Sequence, residues 1–396
     1  MRHFIDVAHH SLNKYGEELC GDKVEVIKSD NRTIIVLADG LGSGVKANIL
    51  STLTTKIMMT MLENGSDLED TIETIVNTLP VCSIRGIGYS TFSIIEIDQD
   101  LYCKIIEFDN PPVFFMRRKR VIPLERTTFV SAGKKLSRSE LRLDIGDSLV
   151  LCSDGVIHAG VGVLLNHGWE WPHVAAYLEG QPMASAEHIN RRLIDTCKKL
   201  YDNMPGDDTT AVTVSIREPK YVSVLAGPPN AIALDADVVS KFMRLPGKKI
   251  VCGGTAANIV ARELGSEVET NLSYEDPNVP PIGYIKGIDL VTEGVLTLKM
   301  LLTKLKRMNS NCDEPEFQKM DGVTQLMRLF IEDATNINFY VGHAINPAHQ
   351  NPDFPHELSI KLNVINDVVN ELRMMGKQAE ITFTDINFSG NPHIEA

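Results

Sequence analysis

Apolar positions in the first half of the chain fall into short runs, with two longer helical stretches between them. Val24–Lys28 and Thr33–Leu37 are rich in β-branched residues and flank the polar turn Ser29-Asp30-Asn31, which predicts paired strands. Val45–Met61 and Leu68–Leu79 carry the pattern of helices, and Gly65-Ser66-Asp67 supplies the break and the N-cap between them. Ser90–Ile97, Tyr102–Phe108 and Val113–Met116 are three strand-like runs that predict an antiparallel meander. Leu149–Cys152 reads as a short buried strand, Ala186–Tyr201 as a helix and Ala211–Ile216 as a last strand. These elements do not alternate regularly, so the pattern predicts an α+β fold rather than a doubly wound sheet.

A polar stretch with a proline, Arg217-Glu218-Pro219-Lys220, separates two β-rich runs and marks the expected domain boundary, giving domains 1–217 and 218–396. Beyond it, Tyr221–Leu225 reads as a strand. Lys249–Cys252 is a strand running into Gly253-Gly254-Thr255 and the helix Ala256–Leu264. Asp289–Gly294 has the look of a helix start capped by Thr292 or Asp289, with Asp289 and Glu293 as candidate ligands. Glu357–Met375 is an amphipathic helix, followed by the strand Glu380–Phe383. This half predicts a smaller α/β domain with some parallel pairing.

Composition narrows the class. The 396 residues are 43% hydrophobic and 23% charged, as in a soluble globular protein of two domains. No apolar run is long enough for a membrane span, and Met1–His10 lacks the apolar stretch of a secretory signal. The net charge of −13 is spread over both halves and argues against nonspecific nucleic-acid binding. The one basic cluster, Arg117–Arg120, reads as a solvated hairpin turn. Seven cysteines without a CxxC pair argue against a disulfide framework or thiolate zinc site, and for a reducing, cytoplasmic setting.

The aspartates of the first half change the picture most. Asp22 precedes the first strand, and Asp39 ends the second in Ala38-Asp39-Gly40-Leu41-Gly42-Ser43-Gly44. Asp154 follows a strand in Ser153-Asp154-Gly155, and Asp207 and Asp208 precede the last strand in Gly206-Asp207-Asp208-Thr209-Thr210. Any one Asp-Gly pair is an ordinary turn dipeptide. Four such sites, each beside an apolar strand, would gather carboxylates at one sheet edge, where mutual repulsion calls for cations. Hard divalent ions, Mn²⁺ or Mg²⁺, suit oxygen ligands, and the glycines let backbone carbonyls face them.

In this order the motifs resemble those of the metal-dependent PPM (type 2C) serine/threonine protein phosphatases, in particular their bacterial SpoIIE-like branch. Phe108-Asp109-Asn110-Pro111-Pro112-Val113 is similar to that branch's strand-turn-strand segment. Leu143–Leu149 resembles the segment introducing its second Asp-Gly, and Gly88–Phe92 its small-residue strand start. The resemblance covers about residues 1–217 and implies an α-β-β-α sandwich with two metals at one end. It implies hydrolysis of phosphoserine or phosphothreonine on a regulatory protein, such as an anti-sigma-factor antagonist, without a covalent intermediate. Asp39 and Asp154 would then be the catalytic carboxylates. Asp39 would bridge the metals and Gly40 would lend its carbonyl; Asp22 would serve one ion, Asp154 and Asp207 the other, with the choice between Asp207 and Asp208 open. Cys20 and Cys152 need no nucleophilic role. Leu41 stands where the eukaryotic branch has a histidine, and that branch's phosphate-binding arginine has no clear counterpart, which leaves the general acid unassigned.

Several further residues have both a functional and a structural reading. Lys14 is a candidate phosphate contact or an exposed loop lysine. Gly253, Gly254 and Thr255 form a candidate anion site at a helix N-terminus or a plain tight turn. His343, His349 and His356, with Asp353, lie in one proline-containing loop and could ligate a metal. The second half is expected to sense a ligand or partner; a second enzymatic domain is the alternative. For the first half, the alternatives are a non-catalytic regulator on a phosphatase fold and a nucleotide-binding protein using Gly40–Gly44.

Overall fold

The computed structural model describes residues 3–29, 31–78, 90–181, 185–270, 279–310, 319–342 and 356–384. The chain divides into two compact units, one over His3–Glu218 and one from Pro219 onward.

In the first unit the described strands are β1 (Phe4–Leu12), β2 (Asp22–Lys28), β3 (Arg32–Gly40), β4 (Ser90–Asp98), β5 (Tyr102–Phe108), β6 (Phe114–Arg117), β7 (Arg120–Ile122), β8 (Thr127–Ser131), β9 (Lys134–Arg142), β10 (Ser148–Cys152) and β11 (Thr209–Arg217). Its helices are α1 (Gly44–Glu63), α2 (Leu68–Thr78), α3 (Asp154–Ile157), α4 (Trp171–Glu179) and α5 (Ala186–Leu200). Two antiparallel sheets form, in the orders β1-β11-β10-β6-β7 and β2-β3-β4-β5-β9-β8. Alternation along the strands gives each sheet two apolar faces. Ile35, Leu37, Ile95 and Ile105 of one sheet meet Val7, Leu149, Leu151 and Val214 of the other in the central core. On the outer faces, Ile34, Val36 and Ile94 pack under α1 and α2, and Val150 and Ala211 pack under α4 and α5. The result is an α-β-β-α sandwich, an α+β fold.

The predicted meander is corrected. β4 and β5 pair, but β6 leaves that sheet and pairs with β10 and β7. Pro111 and Pro112 lack the N–H that would continue the ladder, so the chain crosses to the facing sheet before Phe114. The basic cluster does form a tight hairpin turn, with Arg117 opposite Arg120 and positive φ at Arg118 and Lys119. Leu79, Gly88 and Tyr89 lie outside the described residues.

The second unit contains β12 (Tyr221–Ala226), α6 (Asp235–Arg244), β13 (Lys248–Cys252), α7 (Gly254–Glu263), β14 (Glu269–Thr270), β15 (Gly283–Tyr284), β16 (Leu290–Thr292), α8 (Val295–Ser310), α9 (Gly322–Met327), β17 (Asn336–Val341), α10 (His356–Met374) and β18 (Gln378–Phe383). Its sheet runs β14-β15-β16-β13-β12-β17-β18, and the five strands from β16 to β18 are mutually parallel. Val224 and Ile250 face α8, α9 and α10, whereas Leu225 and Val251 face α6 and α7. This is a doubly wound sheet whose order reverses between β12 and β17. The expected helix start at Asp289–Gly294 is corrected: Leu290–Thr292 is strand β16, and the helix begins at Val295. Asp289 does not cap it; its Oδ2 accepts from the Lys249 N–H at 2.8 Å, while Glu293 Oε2 accepts from the Leu296 N–H at 3.3 Å.

Candidate metal centre

Antiparallel pairing brings the start of one strand beside the end of the next, and so Asp22, opening β2, stands opposite Asp39, near the end of β3. The two glycines of the Asp-Gly pairs are required by close backbone approaches. A Cβ on Gly40 would lie 2.0 Å from the Ala47 carbonyl oxygen of α1, and one on Gly155 would lie 2.2 Å from the Asp208 carbonyl oxygen. Gly155 thus packs the start of α3 onto the segment that leads into β11, which also accepts Gly155's neighbour: the Ser153 N–H donates to the Thr210 carbonyl at 2.9 Å. The Tyr201 hydroxyl donates to the Gly155 carbonyl at 2.8 Å.

Ser153 ties the sheets together at this end. Its Oγ–H donates to Asp22 Oδ2 at 2.7 Å, and its Oγ accepts from the Thr210 N–H at 2.9 Å. Asp22 is buried, and its Oδ1 has no hydrogen-bond partner. Asp208, also buried, accepts at Oδ1 from the Lys14 N–H at 3.0 Å and packs against Gly21. Asp207 is 47% exposed, and Lys14 Nζ stands 3.8 Å from its Oδ1. The two neighbouring acids differ in burial: Asp208 is buried, whereas Asp207 is half-exposed beside Lys14, its Oδ1 accepting from the Asp208 N–H at 3.0 Å.

Electrostatics report the crowding. Burial, reinforced by Asp22, Asp154, Asp207 and Asp208, pushes the Asp39 carboxyl up to about 9. Burial likewise pushes Asp22 up to about 7, with Asp208 and Asp154 adding to it against the hydrogen bonds from Ser153 and Thr210. Asp154 is raised by burial and by Asp207, with His158 opposing. Cys20 and Cys152 are pushed well up by burial first, then by the same aspartates, so both remain thiols at neutral pH.

The carboxylates are grouped without closing into a cage. Among the described residues, no three His, Cys, Asp or Glu side chains converge to hold an ion by themselves. Sequence reasoning pointed to all five acids and to Lys14; it missed the contacts made by Ser153 and Tyr201. A serine at an N-cap position is the only signal that could have drawn attention to Ser153, and its side chain makes no cap hydrogen bond.

Gly253, Gly254 and Thr255 belong to the other unit. Gly253 has φ 115°, a conformation that favours glycine, and donates its N–H to the Thr292 carbonyl at 3.0 Å, beyond the last ladder pair of β13 and β16; α7 starts at Gly254. Nearby in that fold, Lys361 Nζ donates to the carbonyls of Ala226 and Gly342, at 3.2 and 3.0 Å, at the ends of the two strands where the order reverses. Burial lowers its pKa. His343, His349 and Asp353 lie outside the described residues, as does the side chain of His356.

The family model for stage II sporulation protein E (SpoIIE) matches residues 29–217. Stage II sporulation protein E of Bacillus subtilis is 27% identical over 218 residues, covering 53% of this chain and 26% of that protein. The protein of the same name from Priestia megaterium is 24% identical over 225 residues, covering 55% of this chain and 37% of that protein. The chain thus matches only about a quarter to a third of the length of these curated relatives. Among solved structures, the PP2C phosphatase domain with a regulatory-domain fragment of Bacillus subtilis SpoIIE is 23% identical. It has a TM-score of 0.48 and covers 55% of this chain and 63% of that one. RsbX in complex with magnesium is 22% identical, with a TM-score of 0.41, covering 55% and 96%. With the ordered acidic motifs, the family-model match makes residues 29–217 a SpoIIE-type domain, similar to the PPM (type 2C) phosphatases.

Proposed function

We propose that the first unit is a Mn²⁺- or Mg²⁺-dependent phosphatase acting on phosphoserine or phosphothreonine of a regulatory protein. The observation that carries this reading is the massing of Asp22, Asp39, Asp154 and Asp207 around one edge of the sandwich, with Asp39 raised by all its neighbours and Asp22 Oδ1 left unpaired in the interior. A buried carboxylate oxygen without a donor fits a hard cation. A few carboxylates per ion suit Mg²⁺ or Mn²⁺, because such ions keep several waters and need no closed cage of protein ligands.

In this reading Asp22, Asp39 and the Gly40 carbonyl would hold one ion, and Asp39, Asp154 and Asp207 would hold the other. Two divalent cations there would activate an attacking water and neutralise charge on the phosphoryl group. The chain's own residues prepare the place. Ser153 fixes Asp22, the Lys14 backbone fixes Asp208, and the Gly40 and Gly155 contacts hold both acidic turns rigid against α1 and the approach to β11. That ties Asp208 to structure and favours Asp207 as the ligand. Lys14, whose Nζ lies 3.8 Å from Asp207 Oδ1, would meet a phosphoryl oxygen in this reading. Neither Cys20 nor Cys152 takes part.

The whole chain we read as two domains, 1–217 and 218–396, the second regulatory or ligand-binding. The crevice at a strand-order reversal is the usual ligand position in a doubly wound sheet, and Lys361 at that point suits an anionic group. Hydrolysis of a generic aryl phosphate, and then of a phosphoserine protein, is expected only with Mn²⁺ or Mg²⁺ present. No turnover in any condition, together with no metal binding, would favour a non-catalytic regulator on the same fold.

A further inference from the structure

We propose that Ser153 is a positioning residue that aims Asp22 at the cation, an inference that rests on the metal-dependent reading of the site. Ser153 stands at the N-cap of α3, with the φ −76° and ψ 170° typical of a capping residue, yet its side chain makes no cap hydrogen bond. The hydroxyl is turned instead across the sandwich. It donates to Asp22 Oδ2 at 2.7 Å and is itself held by the Thr210 N–H at 2.9 Å. The backbone of the same residue is locked by its N–H to the Thr210 carbonyl at 2.9 Å. Ser153 is fully buried, so no water competes for these bonds.

The consequence falls on Asp22. With Oδ2 engaged by a fixed donor, the carboxylate cannot rotate, and Oδ1 is left as the single unpaired acceptor. One oxygen is anchored and the other presented, the arrangement by which an outer hydrogen bond orients a ligand. Because Ser153 directly precedes Asp154, the same turn sets two carboxylates from opposite sheets: Asp154 through the chain and Asp22 through the hydroxyl. A shift of either sheet would be felt by both.

The test is calorimetric titration of the full chain with MnCl₂ alone, without substrate, alongside melting in the absence of metal. Ser153→Ala is expected to weaken Mn²⁺ binding about tenfold or more. Ser153→Thr, which retains the hydroxyl, should stay within about threefold of the parent. In an Asp22→Asn background, Ser153→Ala should have no further effect on affinity, because the group it aims is gone. If the alanine chain does not fold, Ser153→Cys, which keeps the volume and loses the strong donor, is the deciding variant. Parent-like Mn²⁺ affinity in Ser153→Ala or Ser153→Cys overturns the proposal. An equal loss with and without Asp22 also overturns it, since Ser153 would then act only on the fold. Absence of Mn²⁺ and Mg²⁺ binding by the parent chain is a different failure: it removes the metal-dependent reading and this inference with it.

Discussion

In the first unit the polar groups at the strand ends are carboxylates, and in the second they are backbone groups, glycines and a lysine. The contrast follows from strand direction. Antiparallel pairing in the sandwich puts the start of β2 and the end of β3 side by side, so acids from different turns converge, as Asp22 and Asp39 do. In the second unit the five parallel strands send their ends to one edge, where helices begin and where Lys361 bonds the carbonyls ending β12 and β17. On the reading proposed above, the two edges would take partners of opposite charge.

The sharpest way to break that comparison is to remove one acid. Asp39→Asn is expected to lower Mn²⁺-dependent turnover by several orders of magnitude while the chain still folds, as read by steady-state kinetics and circular dichroism. Asp154→Asn should behave alike, and added thiol should rescue neither. Near-parent activity in Asp39→Asn would take the acidic edge out of the chemistry.

A smaller effect concerns stability of the first unit alone. Burial would raise the Glu187 carboxyl, but His10 and Arg191 outweigh it and bring it down to about 2 from an ordinary 4.5. A depressed carboxyl stabilises the folded state above about 4.5, and the contribution is lost as pH falls through about 2. Glu187→Ala, which leaves Arg191 buried and without this partner, should cost about 3–5 kcal/mol. Hydrogen exchange resolved by unit should place both losses in residues 3–218; equal loss in both units would mean that they unfold together.

Glycines separate the two edges next. Gly40→Ala meets the Ala47 carbonyl and should cost about 1–3 kcal/mol and displace Asp39. Gly254→Ala, with nothing within 4 Å of its Cβ, should stay within about 0.5 kcal/mol of the parent. Denaturant melts of the two variants decide this, and a costly Gly254→Ala would show that the turn before α7 is under a constraint of its own. The smallest effect is expected from Lys361→Met, which loses two bonds to carbonyls but relieves a buried charge, a net change of about 1 kcal/mol by the same melts.

Much of the site was legible because the acids sit in turns that local chemistry marks. An Asp-Gly after an apolar run announces a sharp turn at a strand end, and four in order announce a shared edge. What could not be read were facts that depend on which sheet a strand joins. β6 looks like the third strand of a meander, and only the two prolines before it hint that it crosses over. β1 escaped notice because its buried Asp6 and its histidines hide the alternation, and a buried acid is legible only once Arg217 is known to face it. Leu290–Thr292 reads as part of a helix start because Asp289 and Thr292 are good caps; three buried residues are too few to show a strand's period. Ser153 was visible as a letter of its motif, but its bond to Asp22 spans 131 positions of sequence.

The pairing of β1 with β11, Phe4 opposite Arg217 through Leu12 opposite Thr209, has a consequence in time. Strand β1 lies at the edge of its sheet, and its sole neighbour there is β11. During synthesis it must wait for roughly 200 further residues, about 10–40 s at ordinary elongation rates, before that neighbour exists. Throughout that interval Asp6 lacks the Arg217 guanidinium that meets its Oδ2 at 2.9 Å. Within this unit β1 is therefore made before its partner by the longest interval, and the acidic edge acquires its β11 wall, with Asp207 and Asp208, in the same closing event. A ribosome-bound chain stopped before residue 207 would hold every other acid of the edge and still have no finished site.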